Sequence, residues 1–382
     1  KVKSYKGDFH IPFKANPNLE TLQYYTWRYI SDTRSPLTSN SVEPSSKPYE
    51  FKFKRTKYKF LNKEMRTKGI LSYLYFEKDH VVIDEISPKD RFGGLVNNET
   101  KLRSNSAGKS LVSYVLGHAI CEGYIEGIDS KINDWPLVKD SLYENHKLID
   151  LLNMASGDQK YVNDSFLLKN GKPNRDKSNE IDNWSMKYIG EYFKGKKSIK
   201  KRYNYNNVNT NLIFNYVLFK SNGNFDKLLN KVFQEKARIK HRVFFFKKDG
   251  SDDMGNADPM FYATRLDYLR IAKAMMDDYQ NNTCVGKYLK EIYDRRIPKN
   301  LNPDGYFSEP HFNRTYSYGG QFHLDYPGLK NKIVFGWGGR SGQAILIDME
   351  NSRIVVINSI HYNHGKYKYN HKKLFVNPIK YG

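Results

Sequence analysis

Strand patterns lie at both ends of this chain and helix patterns lie between them, and nothing else in the sequence constrains the fold as strongly. Gly69 to Phe76 and Val81-Val82-Ile83-Asp84 read as the two strands of a hairpin, with Lys78-Asp79 in the turn. Residues 107 to about 295 carry mostly helical patterns broken by long loops. From Tyr316 strand patterns return and end near Ile360. Strands so far apart in sequence imply one sheet closed by both ends of the chain. The expected body is residues 56–382, with a sheet built from 66–105 and 315–360 and a helical lobe over about 107–300. A crevice between sheet and lobe is the natural place for a site. Residues 1–55 are polar, with Pro36, Pro44 and Pro48 and a Ser/Asn-rich stretch at 35–47. They read as an extended, irregular arm wrapped around that body.

Chemistry enters at Ser106-Ala107-Gly108-Lys109, where an apolar helix begins. Leu111, Val112, Val115, Leu116, Ala119 and Ile120 make a buried helical stripe, and Gly123 is a plausible stop. Positions i and i+3 of a helix share a face, so Lys109 can reach Ser106. The positive end of the helix dipole favours an alkoxide on Ser106, and burial favours the neutral amine of Lys109. Serine and lysine are abundant here, so the pair alone is also compatible with a solvated surface.

Two further segments keep it company. Tyr205-Asn206-Asn207 precedes Val208 to Phe214, which opens another helix with Asn207 or Asn209 as its cap. A tyrosine at such a junction can project into a cleft and pass a proton to a leaving group. Tyr203-Asn204-Tyr205 offers a competing frame. Later, Gly336-Trp337-Gly338-Gly339-Arg340-Ser341-Gly342-Gln343 feeds the apolar run Ala344 to Asp348, as a turn feeds a buried strand. Glycines there would let a substrate lie along the strand edge.

This ordered set, S-x-x-K, Y-x-N and then a glycine-rich strand, resembles the serine β-lactamase and penicillin-binding-protein superfamily. It is most similar to the class C β-lactamase-related branch of family VIII carboxylesterases and 6-aminohexanoate-dimer hydrolases. Trp337-Gly338-Gly339 matches the W-G-G that such esterases carry in place of K-T-G. Gly127 to Ile132 and Leu151 to Gly157 are similar to further segments of the family, and the resemblance spans roughly residues 66 to 360. It implies an α+β fold, β-lactamase/transpeptidase-like, with an antiparallel sheet flanked by helices plus an all-α region. It implies Ser106 as acylated nucleophile, Lys109 as its base and Tyr205 as proton relay. The amides of Ser106 and Arg340 would form the oxyanion hole. Asn207, Trp337, Gly338 and Gly339 would line the substrate cleft. With Trp337 where K-T-G has its lysine, the expected substrate is a neutral ester or small amide. A β-lactamase or D-alanyl peptidase activity is the alternative, with Arg340 supplying the cation. A non-catalytic ligand- or surface-binding protein on the same scaffold is the rival from another class. Acyl transfer of this kind calls for no metal or cofactor.

The net charge of +22 raises the question of nucleic acid. The lysines are scattered, the densest run being Lys194, Lys196, Lys197, Lys200, Lys201 and Arg202, and no nucleic-acid module is present. The expected partner is a small-molecule ester or amide, not nucleic acid. A positive surface also fits peripheral contact with anionic lipid or cell-wall polymer. His361-Tyr362-Asn363-His364 is the closest histidine pair and lacks further ligands at metal-site spacing. No H-E-x-x-H, P-loop or G-x-S-x-G is present, which argues against metalloprotease, NTPase and α/β-hydrolase. Cys121 and Cys284 are the only cysteines, and Cys121 reads as core on the apolar side of the first helix. The chain starts at Lys1, so a preceding segment is expected, and a periplasmic or secreted location is expected over a cytoplasmic one.

Overall fold

The computed structural model describes residues 1–3, 11, 15–31, 40–162, 168–169, 172–173, 186–248, 256–299, 315–361 and 365–382. Both ends of the chain do meet in one sheet. Its nine strands lie in the order Ile297–Pro298, Ser317–Gly319, Phe322–Leu324, Val334–Gly338, Ala344–Asp348, Arg353–Ser359, Ile70–Glu77, His80–Ile86 and Lys52–Phe53. Pairing is antiparallel except at the edge, where Lys52–Phe53 runs parallel to His80–Ile86. The centre is the pairing of Arg353–Ser359 with Ile70–Glu77, Val355 opposite Tyr75. The expected hairpin turn is present, with Lys78 at φ +57°.

Successive residues of a strand point to opposite faces, so a sheet covered on both faces needs unbroken apolar runs. Ala344-Ile345-Leu346-Ile347 is such a run. Ile345, Ile347, Ile354 and Val356 face one core shared with the helices Gly108–Cys121, Arg265–Gln280 and Cys284–Asp294. Leu346, Val355 and Ile357 face a second, smaller core closed by the helix Lys59–Thr67 and the C-terminal segment around Phe375 and Ile379.

Two expectations are corrected here. The N-terminal arm is not irregular throughout: Leu19–Ser31 is a helix whose Leu22, Tyr25, Thr26 and Tyr29 are buried. The helical lobe also holds a four-stranded sheet, in the order Asn40–Val42, Val243–Lys248, Asn256–Ala263 and Leu102–Arg103. Most of the 157–181 loop and residues 35–39 of the Ser/Asn-rich stretch lie outside the described residues. So does His364 of the histidine pair. Among the described residues, no helix is long and apolar enough to cross a membrane.

Cys121 and Cys284 are joined in a disulfide. It ties the last residue of the Gly108–Cys121 helix to the first of Cys284–Asp294, across 163 residues of chain. Closing so long a loop restricts the unfolded chain by roughly 5 kcal/mol in the chain-entropy account. Replacing both cysteines by alanine is expected to lower the unfolding free energy by about 2–5 kcal/mol. Urea melts of the two proteins measure this, and an unchanged midpoint would show that the bridge constrains nothing the fold does not already hold.

Candidate active site

Ser106 is held by a short, tightly specified turn. The strand Leu102–Arg103 pairs with Asn256–Ala263, and the Ser104 amide donates to the Phe261 carbonyl at 2.8 Å. The chain then turns at Asn105, which has φ +48°, a left-handed value that asparagine tolerates better than most residues. Asn105–Ala107 forms one 3-10 turn and the α-helix starts at Gly108. A Cβ on Gly108 would lie 1.9 Å from the Pro259 carbonyl oxygen, so only glycine lets the helix start this close to the neighbouring strand. Ser106 is half-buried at this N-terminus, beside the positive end of the dipole.

Every residue of the helix from Gly108 to Ala119 is buried. Lys109 is 5% exposed. Its Nζ donates to Oδ1 of Asn207 at 2.6 Å and lies 5.2 Å from the centre of the Tyr205 ring. The first two motifs therefore meet, through Lys109 of one and Tyr205 and Asn207 of the other. Tyr203 instead packs on Tyr318, with ring centres 5.1 Å apart.

The local chemistry explains how Tyr205 and Asn207 come to face Lys109. Asn207 and Asn209 were the expected caps of the helix Val208–Lys220. The capping oxygen comes instead from Asn206, whose Oδ1 accepts from the Asn209 amide at 2.9 Å. That leaves the Asn207 side chain for the lysine. Asn206 is in turn held by Asp158, 3.4 Å from its Nδ2, and by the Asn204 carbonyl at 2.9 Å. Asp158 is fully buried and accepts from the Tyr143 hydroxyl at 2.8 Å. Burial pushes its carboxyl above the ordinary range, partly offset by the hydrogen bonds from Tyr143 and its neighbours.

The third motif also reaches the serine, though not as expected. Trp337 is 0% exposed and points from its strand into the core shared with the helices. It cannot be a wall of an open cleft, and the correction has a simple cause: the alternation of Val334–Gly338 sends Phe335 and Trp337 to the helix-covered face. Gly338 and Gly339 are buried as well. A Cβ on Gly339 would fall 2.5 Å from the Ser104 carbonyl oxygen, so the turn sits directly on the serine turn. The Gly339 amide donates to the Gln343 carbonyl at 2.8 Å, closing a tight loop that leaves Arg340 exposed at its tip.

Three residues at the site carried no motif. His323, 3% exposed, stacks on Tyr205 with ring centres 6.2 Å apart. Its Nδ1 lies 2.8 Å from the Lys299 ammonium. Burial, with the Lys299 charge adding to it, holds the imidazole well below its usual pKa and so neutral. Gln321, at φ +69°, accepts from Ser110 and Thr210 and donates to the carbonyls of Leu151 and Leu152. It thereby joins the serine helix to the Tyr205 helix. The only local signal for any of them was a histidine inside the apolar triplet Phe322-His323-Leu324.

No family model matches the chain, and no curated protein matches it in sequence. Solved structures match it in fold. One from Bacillus anthracis, described as a 6-aminohexanoate-dimer hydrolase, is 12% identical with a TM-score of 0.66, covering 93% of this chain and 92% of its own. A D-stereospecific amidohydrolase from Streptomyces is 14% identical with a TM-score of 0.52, covering 83% of this chain and 95% of its own. EstCE1, a hydrolase with promiscuous acyltransferase activity, is 10% identical with a TM-score of 0.54, covering 85% of this chain and 99% of its own.

Proposed function

We propose that this chain, which has the fold of the serine β-lactamase and penicillin-binding-protein superfamily, is a serine hydrolase that cleaves a carboxylic ester or small amide through an acyl-serine. One observation carries the reading. A buried lysine, one helical turn after a half-buried serine at a helix N-terminus, is bonded to Asn207 and lies against Tyr205. Burying a lysine is costly, and it is worthwhile where its proton chemistry is used.

In this mechanism Lys109 acts as the neutral amine, and as Ser106 Oγ attacks the substrate carbonyl its proton passes to Lys109 Nζ. The amides of Ser106 and Arg340 are the donors we assign to the developing oxyanion, each worth roughly 3–4 kcal/mol in comparable holes. As the tetrahedral intermediate collapses, Tyr205 delivers a proton to the departing alcohol or amine. Water then attacks the acyl-serine and gives a proton to the Tyr205 phenolate, the bond from the acyl carbon to Ser106 Oγ breaks as Oγ takes back the proton held by Lys109, and the carboxylic acid leaves. His323, neutral and stacked on Tyr205, keeps the phenol ring in place without adding charge.

Since Trp337 is core, it gives no reason to prefer neutral substrates, and the ester reading rests on the Ser106, Lys109 and Tyr205 cluster alone. The Cys121–Cys284 bridge supports an exported protein, because such bonds persist in oxidising compartments. Treating the protein with a fluorophosphonate is expected to add one phosphonyl group per chain, mapped by peptide mass to Ser106. Absence of labelling, or labelling at another serine, would remove the nucleophile from this scheme.

A further inference from the structure

Tyr29 lies on the N-terminal helix, far in sequence from every motif of the site, and is 3% exposed. Its hydroxyl donates to the Arg103 carbonyl at 2.5 Å, accepts from Gln343 Nε2 at 2.8 Å and from Asn105 Nδ2 at 3.3 Å. Asn105 Nδ2 also lies 3.1 Å from Ser341 Oγ and 3.3 Å from Gln343 Oε1. Gln343 Nε2 further donates to the Ser359 carbonyl at 3.2 Å. All four side chains are buried.

The position of this network is what matters. Asn105 immediately precedes Ser106, and Ser341 immediately follows Arg340. The two segments assigned to the oxyanion are thus bolted together one residue away from each amide. Asn105 is also the residue in the left-handed conformation, which persists only where surroundings over-determine it. Tyr29 supplies the atom that both Asn105 and Gln343 share. We propose that Tyr29, Asn105, Ser341 and Gln343 are positioning residues that set the distance between the Ser106 and Arg340 amides. The N-terminal helix is then part of the active site's frame rather than a wrapping of it.

The proposal rests on Ser106 being the nucleophile, and the experiment separates the two. Tyr29→Phe keeps the ring and removes the hydroxyl. Gln343→Leu removes the other shared partner and serves if Tyr29→Phe fails to fold. Each is expected to slow fluorophosphonate labelling of Ser106 and kcat on p-nitrophenyl acetate by about 10-fold or more, within the 10²-fold that a 1 Å misplacement can cost, with KM changed less than about 2-fold. Thr26→Val is the control: Thr26 is buried on the same helix and bonds only back to the Leu22 carbonyl, so it perturbs the helix without touching the network. Its labelling rate is expected to equal that of the wild type. Wild-type labelling rates in both network variants would overturn the proposal and leave Ser106 standing. Rates that fall with melting temperature in all three variants alike would overturn it as a stability effect. A wild-type protein that is not labelled at Ser106 removes the nucleophile and the proposal with it.

Discussion

Ser106→Ala is expected to bring hydrolysis of a short-chain p-nitrophenyl ester down to the background rate, a loss of roughly 10⁶-fold in kcat as for removal of other serine nucleophiles. The fold should survive. Ser106 is half-buried, its seat is made by backbone bonds from Ser104 and by Gly108 and Gly339, and none of these needs its hydroxyl. Alanine also has the better helix propensity of the two. The measurement is steady-state turnover beside a melting curve. Retained turnover with an unchanged melt would place the nucleophile elsewhere.

Lys109→Met is expected to lower the acylation rate by about 10²–10⁴-fold, the range for a positioned proton-transfer group. Methionine fills the channel that the lysine stem occupies and removes the amine. Asn207, the partner left behind, is exposed and can turn its amide to water, so the stability cost should be small. The informative quantity is the rate of phosphonylation under single-turnover conditions. Labelling at the wild-type rate would reduce Lys109 to a buried strut for the Tyr205 turn.

Much of this arrangement was legible because it is local. The hairpin around Lys78, the helix from Gly108 and the helix after Asn207 all follow from apolar period and turn residues within a short window. The meeting of the two ends in one sheet followed from where strand patterns fell. What escaped needed either a different weighting of residues or a contact between distant segments. Leu22, Tyr25, Thr26, Tyr29 and Ile30 have helical spacing, yet tyrosine and threonine in a chain with 30 tyrosines read as polar. Val243 to Lys248 is too short an apolar run to tell strand from helix until its partner Asn256–Ala263 is known. Trp337 has the right neighbours for a cleft residue, and only the facing of its strand buries it. His323 reaches Tyr205 because Cα of His323 pairs with Gly336 across the sheet, which no window of sequence contains. Asn206 took the capping role from Asn207 for a similar reason: Asp158, distant in the chain, fixes its amide.

Among the described residues, the sheet's central pairing joins an early strand with the last one. Ile70–Glu77 therefore waits for Arg353–Ser359, and until some 280 residues more have been made its inner edge has no lasting partner. Such non-local closure is slow, and an unpaired apolar strand is prone to wrong association while it waits. A ribosome-bound or C-terminally truncated form lacking Arg353–Ser359 would carry all of Ser106, Lys109, Tyr205 and Arg340 and still be inactive. If Ser106 is the nucleophile, its geometry comes into being only when Arg353–Ser359 docks, a strand made long after Ser106 itself.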